Sequence, residues 1–137
     1  MSTIFSQIIA REIPALIVYE DDQVIAFLDN QPVHLGHTLI VPKEEYENVF
    51  TLPTELFAHI TKIGQQLATV IRDVTEADGI NLYMNNGAAA GQEVWHAHLH
   101  VVPRYVGDDS YTAPVRATDV SKETQQAVAK RITEKLS

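Results

Sequence analysis

Val94-Trp95-His96-Ala97-His98-Leu99-His100-Val101-Val102 decides how this chain is read. Three of its six histidines stand at every second position, separated by Ala97 and Leu99. Residues two apart share one face of a β-strand, about 6.6 Å from each other at ~3.3 Å rise per residue, whereas a helix rotates each successive side chain by about 100°. The spacing therefore predicts a strand over 97–103, with His96, His98 and His100 in a row on one face. Ala97, Leu99 and Val101 then point into the core. Trp95 falls opposite His96 and is expected to pack there too.

Working outward, short apolar runs bounded by turn residues at 16–19, 24–28, 37–41 and 80–84 predict four more strands. Residues 20–23 supply the turn of a hairpin. Between the third and fourth strands the period changes. Leu56, Ile60, Ile63, Leu67, Val70, Ile71 and Val74 recur at steps of three and four, which predicts one long helix over 54–76. Thr51 or Thr54 is expected near its cap, and Gly79 at its stop. Ile4, Phe5, Ile8 and Ile9 predict a short first helix capped by Ser2. Val128, Ile132 and Leu136 predict a last helix near 122–135. Strands in hairpin-like succession with one long inserted helix argue for an α+β fold on an antiparallel sheet of about five strands.

The chain has 137 residues and 45% apolar content, enough for one domain with a real core. Residues 1–107 are read as that domain and 108–137 as a C-terminal extension carrying the last helix. It has no cysteine, which excludes a thiol nucleophile and thiolate zinc ligation. Its net charge of −8 disfavours nucleic-acid partners. No membrane span is legible, the start lacks the pattern of a signal peptide, and a cytoplasmic protein is expected.

The histidine row admits three chemistries. A solvated polar face would draw on Thr, Lys or Glu rather than three imidazoles. H-x-H on a strand can hold zinc, with Glu93, His34 or His37 recruited by the fold. Imidazole is also a nucleophile and an acid–base. Packed cationic rings repel, so a neutral central His98 is expected, free to attack phosphorus while its neighbours bind oxygens. The small residues of 85–92 offer a candidate phosphate nest of backbone N–H groups, although no Gly-Lys-Ser/Thr follows. Lys43 and Arg104 are read as surface charges, and His34 and His59 are given no role.

His96-Ala97-His98-Leu99-His100-Val101-Val102 resembles the H-φ-H-φ-H-φ-φ motif of the histidine triad (HIT) superfamily, with its Hint and bacterial HIT-like hydrolases. The likeness extends over roughly 2–107: Thr3 to Ile9, Ala26 to Asp29, Gly36 to Lys43, and Asn85, Gly91 and Gln92 before the motif. It implies a homodimer whose sheets join, and hydrolysis or transfer at the α-phosphate of a small nucleotide through a nucleotidyl-histidine, without a cofactor. By motif position His98 resembles the nucleophile, His96 and His100 its partners, and His37 a fourth histidine at the site. Gln92 is expected near the α-phosphate and leaving group, Asn85 and Gly91 in the loop beside it, and Asp29 at the ribose hydroxyls. Ile4, Phe5, Ile8, Phe27 and Leu28 resemble the apolar slot for the base. Relatives that hold a structural zinc carry C-x-x-C where this chain has Thr3 and Ser6, so no metal is expected. Glu93 stands where phosphoramidate-cleaving relatives often carry serine. The Val102-Pro103-Arg104 ending and the longer tail lean toward bacterial and dinucleoside-polyphosphate-cleaving relatives. The alternatives are a non-catalytic nucleotide-binding or scaffold protein and a metal-binding H-x-H-x-H protein.

Overall fold

A computed structural model of the chain describes residues 3–108 and 120–136. Five strands form one antiparallel sheet: β1 (Ile17–Glu20), β2 (Val24–Leu28), β3 (Thr38–Pro42), β4 (Gly79–Tyr83) and β5 (Leu99–Arg104). Their spatial order is β1-β2-β3-β5-β4, so β5 lies between β3 and β4. Three helices complete the fold: α1 (Ile4–Ile9), α2 (Thr54–Thr75) and α3 (Lys122–Leu136). The α+β reading stands. Among the described residues no helix is long and apolar enough to cross a membrane.

The central strands β2 and β3 are buried along their whole length, and alternation splits them between two layers. Val24, Ala26, Leu28 and Ile40 join Leu99 and Val101 in a core with α2 and α3. Ile25, Phe27, Leu39 and Val41 pack on the opposite face with Phe5 and Ile8 of α1. Each such aliphatic or aromatic side chain stabilises the fold by about 1.5–3 kcal/mol when fully buried. Gly64 lets α2 approach the sheet closely, since a Cβ there would stand 2.7 Å from Leu99 Cδ2. The extension is part of this same core through Val128, Ala129 and Ile132 of α3. Residues 109–119 and Ser137, within the expected extension, lie outside the described residues.

Several local expectations change. The cap of α1 is Thr3, in a reciprocal capping box with Ser6; the expected Ser2 lies outside the described residues. The N-cap of α2 is Pro53, because Thr51 is spent on the Asn48 carbonyl and Thr54 is already helical. Its end is not at Gly79. Glu76 takes the left-handed conformation (φ 55°), and its N–H and that of Ala77 close on the Arg72 carbonyl. Gly79 is thereby free to begin β4. Trp95 is 45% exposed rather than buried, because ladder pairing on β5 starts only at Leu99 and the residues before it leave the sheet.

Asp21 ties the β1–β2 turn to α2. Its carboxylate accepts from the N–H groups of Gln23 and Val24, from the Tyr19 hydroxyl at 2.8 Å, and contacts His59 Nε2 at 2.7 Å. Burial works to raise this carboxyl, but His59, Tyr19 and the two backbone donors outweigh it and hold the pKa at about 2. The folded value lies below the unfolded value of 3.8, so the stabilisation is present above 3.8 and is lost as pH falls toward 2. A drop of this size corresponds to about 2 kcal/mol. Asp21→Ala should therefore be less stable than the parent by about that amount near neutral pH. In urea denaturation the gap should close between about pH 4 and pH 2; a gap that stays constant through that window would contradict the assignment.

Candidate active site

The histidine row is held by main-chain atoms. His98 Nδ1 lies 2.8 Å from the carbonyl oxygen of His96. A carbonyl only accepts, so the proton is on Nδ1 and the lone pair on Nε2. No described residue bonds His98 Nε2, and His98 lines the cavity. His96 Nε2 donates in the same way to the Pro42 carbonyl at 2.8 Å, which leaves Nδ1 to accept from the Thr3 hydroxyl at 3.3 Å. His37 Nδ1 accepts from the Val33 N–H at 3.0 Å, so its proton sits on Nε2 and points to His100 Nδ1 at 2.9 Å. His100 is then left with its proton on Nε2. One amide and two carbonyls thus set the tautomers of four rings.

The row is a pair with an anchor. His98 and His100 have ring centroids 4.9 Å apart, closer than extended backbone alone would bring them, and both line the cavity. His96 is fully buried behind the wall and holds α1 to the end of β3. Phe5 meets His98 edge-to-face at 4.9 Å. Tyr83, opposite His100 in the β4–β5 register, stacks on that ring at 4.4 Å. Tyr83 also lines the cavity and was not marked by the sequence, since only the register of two distant strands reveals it. His37 is fully buried at the mouth of β3, where Gly36 turns the chain at φ +99°. A Cβ at Gly36 would lie 2.7 Å from Thr75 Cγ2.

The cavity measures ≈ 950 Å³. Ile4, Phe5, Ile8, Phe27 and Leu28 line it, together with Asp29, Asn85 and Gly91. Asp29 Oδ1 accepts from the Gln31 N–H at 2.9 Å, and Oδ2 stands 3.6 Å from His37 Nε2, so this carboxylate both closes a turn and faces the histidines. Gln92 does not line the cavity. Its amide clamps the loop instead, donating to the carbonyls of Glu47 and Val94 and accepting from the Gly87 N–H. That leaves the amide no free polar end for a phosphate. In the expected nest the N–H groups of Gly87, Ala90, Gly91 and Gln92 are bonded within the loop, around a 3-10 turn at Ala88–Ala90. Asn85 Nδ2 reaches the Gly91 carbonyl at 3.4 Å.

Burial first, then the charge on His96, lowers the pKa of His98, partly opposed by the His96 carbonyl and by Asp29 and Glu93. His96 is lowered by burial, opposed by the Pro42 carbonyl. Both rings therefore favour the neutral form. Lys43 pairs with Glu20, and Arg104 with Asp108 and Asn81, away from the cavity. His34 joins Asp108 and His59 joins Asp21, which gives each a structural partner.

The donor atoms of Asp29, His37 and His100 lie within 4.8 Å of one another and form the one candidate metal cluster among the described residues. The hydrogen bonds oppose that use. His37 offers a lone pair at Nε2 only if its proton moves to Nδ1, where the Val33 N–H already points. His96 and His98 do not turn their remaining nitrogens to one point: His96 Nδ1 meets the Thr3 hydroxyl, while His98 lines the cavity.

A five-stranded antiparallel sheet that presents the imidazoles of His98 and His100 to one cavity defines the class of protein, and comparison identifies it. A family model for the HIT domain matches residues 10–107. The chain is 41% identical over 136 residues to Protein hit of Bacillus subtilis, covering 98% of this chain and 94% of that protein. It is 40% identical over 101 residues to the adenylylsulfatase HINT3 of Arabidopsis thaliana, covering 74% of this chain and 51% of that protein. The crystal structure of a Hit-like protein from Bartonella henselae matches with a TM-score of 0.86 at 37% identity, covering 97% of this chain and 95% of that one. The chain belongs to the HIT family.

The direction of the His98 shift is directly measurable. An NMR titration of the imidazole carbons should place the His98 midpoint below its ordinary value of 6.5. The neutral ring should show its proton on Nδ1. A midpoint above 6.5, or a proton on Nε2, would contradict the geometry described here.

Proposed function

We propose that this chain is a nucleotide hydrolase that works through a covalent nucleotidyl-histidine on His98. The carrying observation is the 2.8 Å contact from His98 Nδ1 to the His96 carbonyl, which leaves the Nε2 lone pair facing the cavity. The substrate is a nucleoside phosphoramidate or a dinucleoside polyphosphate. Nε2 attacks the α-phosphorus, the bond from phosphorus to the leaving group breaks, and a proton goes to the departing group. Water then attacks the same phosphorus, the P–N bond breaks, and a nucleoside monophosphate is released. As the P–N bond forms, positive charge builds on the imidazole, and the His96 carbonyl at Nδ1–H stabilises it. His100, with its proton on Nε2, is placed to donate to a phosphoryl oxygen. His37 fixes that proton from behind, and Asp29 accepts from the ribose hydroxyls.

The apolar slot suits a base, since Phe5 and Phe27 stand edge-to-face at 5.7 Å and leave room for a planar ring among aliphatics. The Arabidopsis relative is an adenylylsulfatase, and that supports cleavage between an adenylyl group and its leaving group here. Glu93 on the cavity wall places a carboxylate near the phosphate path and favours a leaving group that carries its own positive charge or arrives with a cation. We further propose a homodimer through the β4 edge, supported by Leu82 and Trp95, which remain 47% and 45% exposed in the monomer.

Rapid quench of the protein with labelled adenosine phosphoramidate should trap adenylate on His98. His98→Ala should lose at least about a thousandfold in kcat while still binding adenosine monophosphate. Turnover by His98→Ala at the parent rate would refute the covalent route. Nucleotide binding without turnover in either protein would favour the non-catalytic reading, and activity lost on treatment with a chelator would favour the metal-dependent one.

A further inference from the structure

Tyr83 ends β4, directly opposite His100 of β5. Directly opposed side chains of an antiparallel pair stand on one face of the sheet within contact distance, so the register brings these two rings together. Their planes are 10° from parallel and their centroids 4.4 Å apart. The other two imidazoles that meet His100 are tilted against it, His98 by 57° and His37 by 43°. Tyr83 is half-buried, and both it and His100 line the cavity.

The two contacts constrain His100 in different ways. The bond from His37 Nε2 to His100 Nδ1, 2.9 Å long, fixes one corner of the ring. A hydrogen bond sets the direction of its own axis and leaves the ring able to rock about it. Such rocking carries Nε2–H, the other nitrogen of the ring, out of line. A parallel aromatic face opposes it, because a tilt drives the two rings together on one side and opens a gap on the other. His98 is held by other means, through the His96 carbonyl at 2.8 Å and the edge contact with Phe5. The stack suits the chemistry of His100 as well. A ring that donates to a phosphoryl oxygen gains positive character, and the face of an aromatic ring is its negative pole.

We propose that Tyr83 is a positioning residue for His100: its stacked ring holds the imidazole plane and so aims Nε2–H at the phosphoryl oxygen. The proposal rests on the nucleotide-hydrolase reading above for the group that His100 meets. It gives β4 a part in the site beyond its place in the sheet, and the functional part of Tyr83 is the ring face rather than the hydroxyl.

The test compares the full chain with Tyr83→Phe, which keeps the ring, and Tyr83→Leu, which removes it. Tyr83→Val, suited to a strand, replaces Tyr83→Leu where that variant does not fold. With adenosine phosphoramidate, Tyr83→Phe should keep kcat within about twofold, and Tyr83→Leu should lose about threefold to tenfold, the rate equivalent of one aromatic pair. The loss should fall on kcat, since a wall of the cavity would change KM alone. The NMR shifts of the His100 ring nitrogens report the same hold without turnover. With the ring neutral, the parent and Tyr83→Phe should show one tautomer, protonated at Nε2, and Tyr83→Leu should move toward the average of both. An aliphatic variant that keeps the parent kcat, or a loss carried by KM alone, overturns the proposal. So does a Tyr83→Phe protein as impaired as Tyr83→Leu, or a His100 spectrum that the aliphatic variant leaves unchanged. A parent that hydrolyses neither adenosine phosphoramidate nor a dinucleoside polyphosphate overturns the hydrolase reading, and the ring-nitrogen contrast then decides by itself whether Tyr83 holds His100.

Discussion

A carbonyl oxygen two residues upstream decides what His98 can do. The His96 carbonyl holds the His98 Nδ1 proton at 2.8 Å, and an imidazole held that way has only one nitrogen left for chemistry. The neighbouring rings obey the same logic with different backbone atoms. Pro42 offers a carbonyl to His96, and Val33 offers an N–H to His37, which passes the opposite tautomer on to His100. The result is a lone pair on His98 beside an N–H on His100, with ring centroids 4.9 Å apart. On the proposed reading this places a nucleophile next to a donor, as attack on phosphorus requires.

The fold exists to hold those backbone atoms still. Pro42 closes β3, and His100 sits in the ladder between Leu39 and Tyr83. His98 falls just before β5 begins, where its carbonyl partner is not committed to a neighbouring strand. A ladder extended two residues further would spend the His96 carbonyl on a strand partner and release the ring. The segment is nonetheless fixed: Ala97 N–H bonds the Tyr46 carbonyl at 2.7 Å, and Gln92 clamps the preceding loop to Glu47 and Val94. Gln92 therefore shapes the approach to the triad. The same break in pairing turns Trp95 outward.

This division explains what the sequence disclosed. Spacing reads which residues share a face, so the strands, the long helix and the histidine row were legible, while the cavity-lining positions of α1 and β2 came from the family resemblance. It does not read contacts between main-chain and side-chain atoms far apart in sequence. The bonds from Gln92 to Glu47, from His96 to Pro42 and from Gln125 to Asp29 span 45, 54 and 96 residues, and no local spacing encodes them. Gln92 is expected near the α-phosphate from the family resemblance alone, and the three partners of its amide are not shown by the loop pattern. The extension looked separable because its pattern is simply another amphipathic helix, and only packing shows Ile132 fully buried in the shared core.

The balance of charge then constrains how such a site works. The chain carries −8 overall, and its cavity wall holds two carboxylates, Asp29 and Glu93, against Lys122. Long-range attraction of a polyanionic substrate is weak under those conditions, so binding must come from contact. Neutral imidazoles suit that task. A neutral ring donates one hydrogen bond to a phosphoryl oxygen and loses less on desolvation than a cation would. On the proposed route, burial, the first influence lowering His98, keeps the lone pair available before attack. On that route the ring carries charge once it has bonded phosphorus. The His96 carbonyl, already aligned with Nδ1–H, is the dipole that makes this tolerable, and it needs no reorganisation to act.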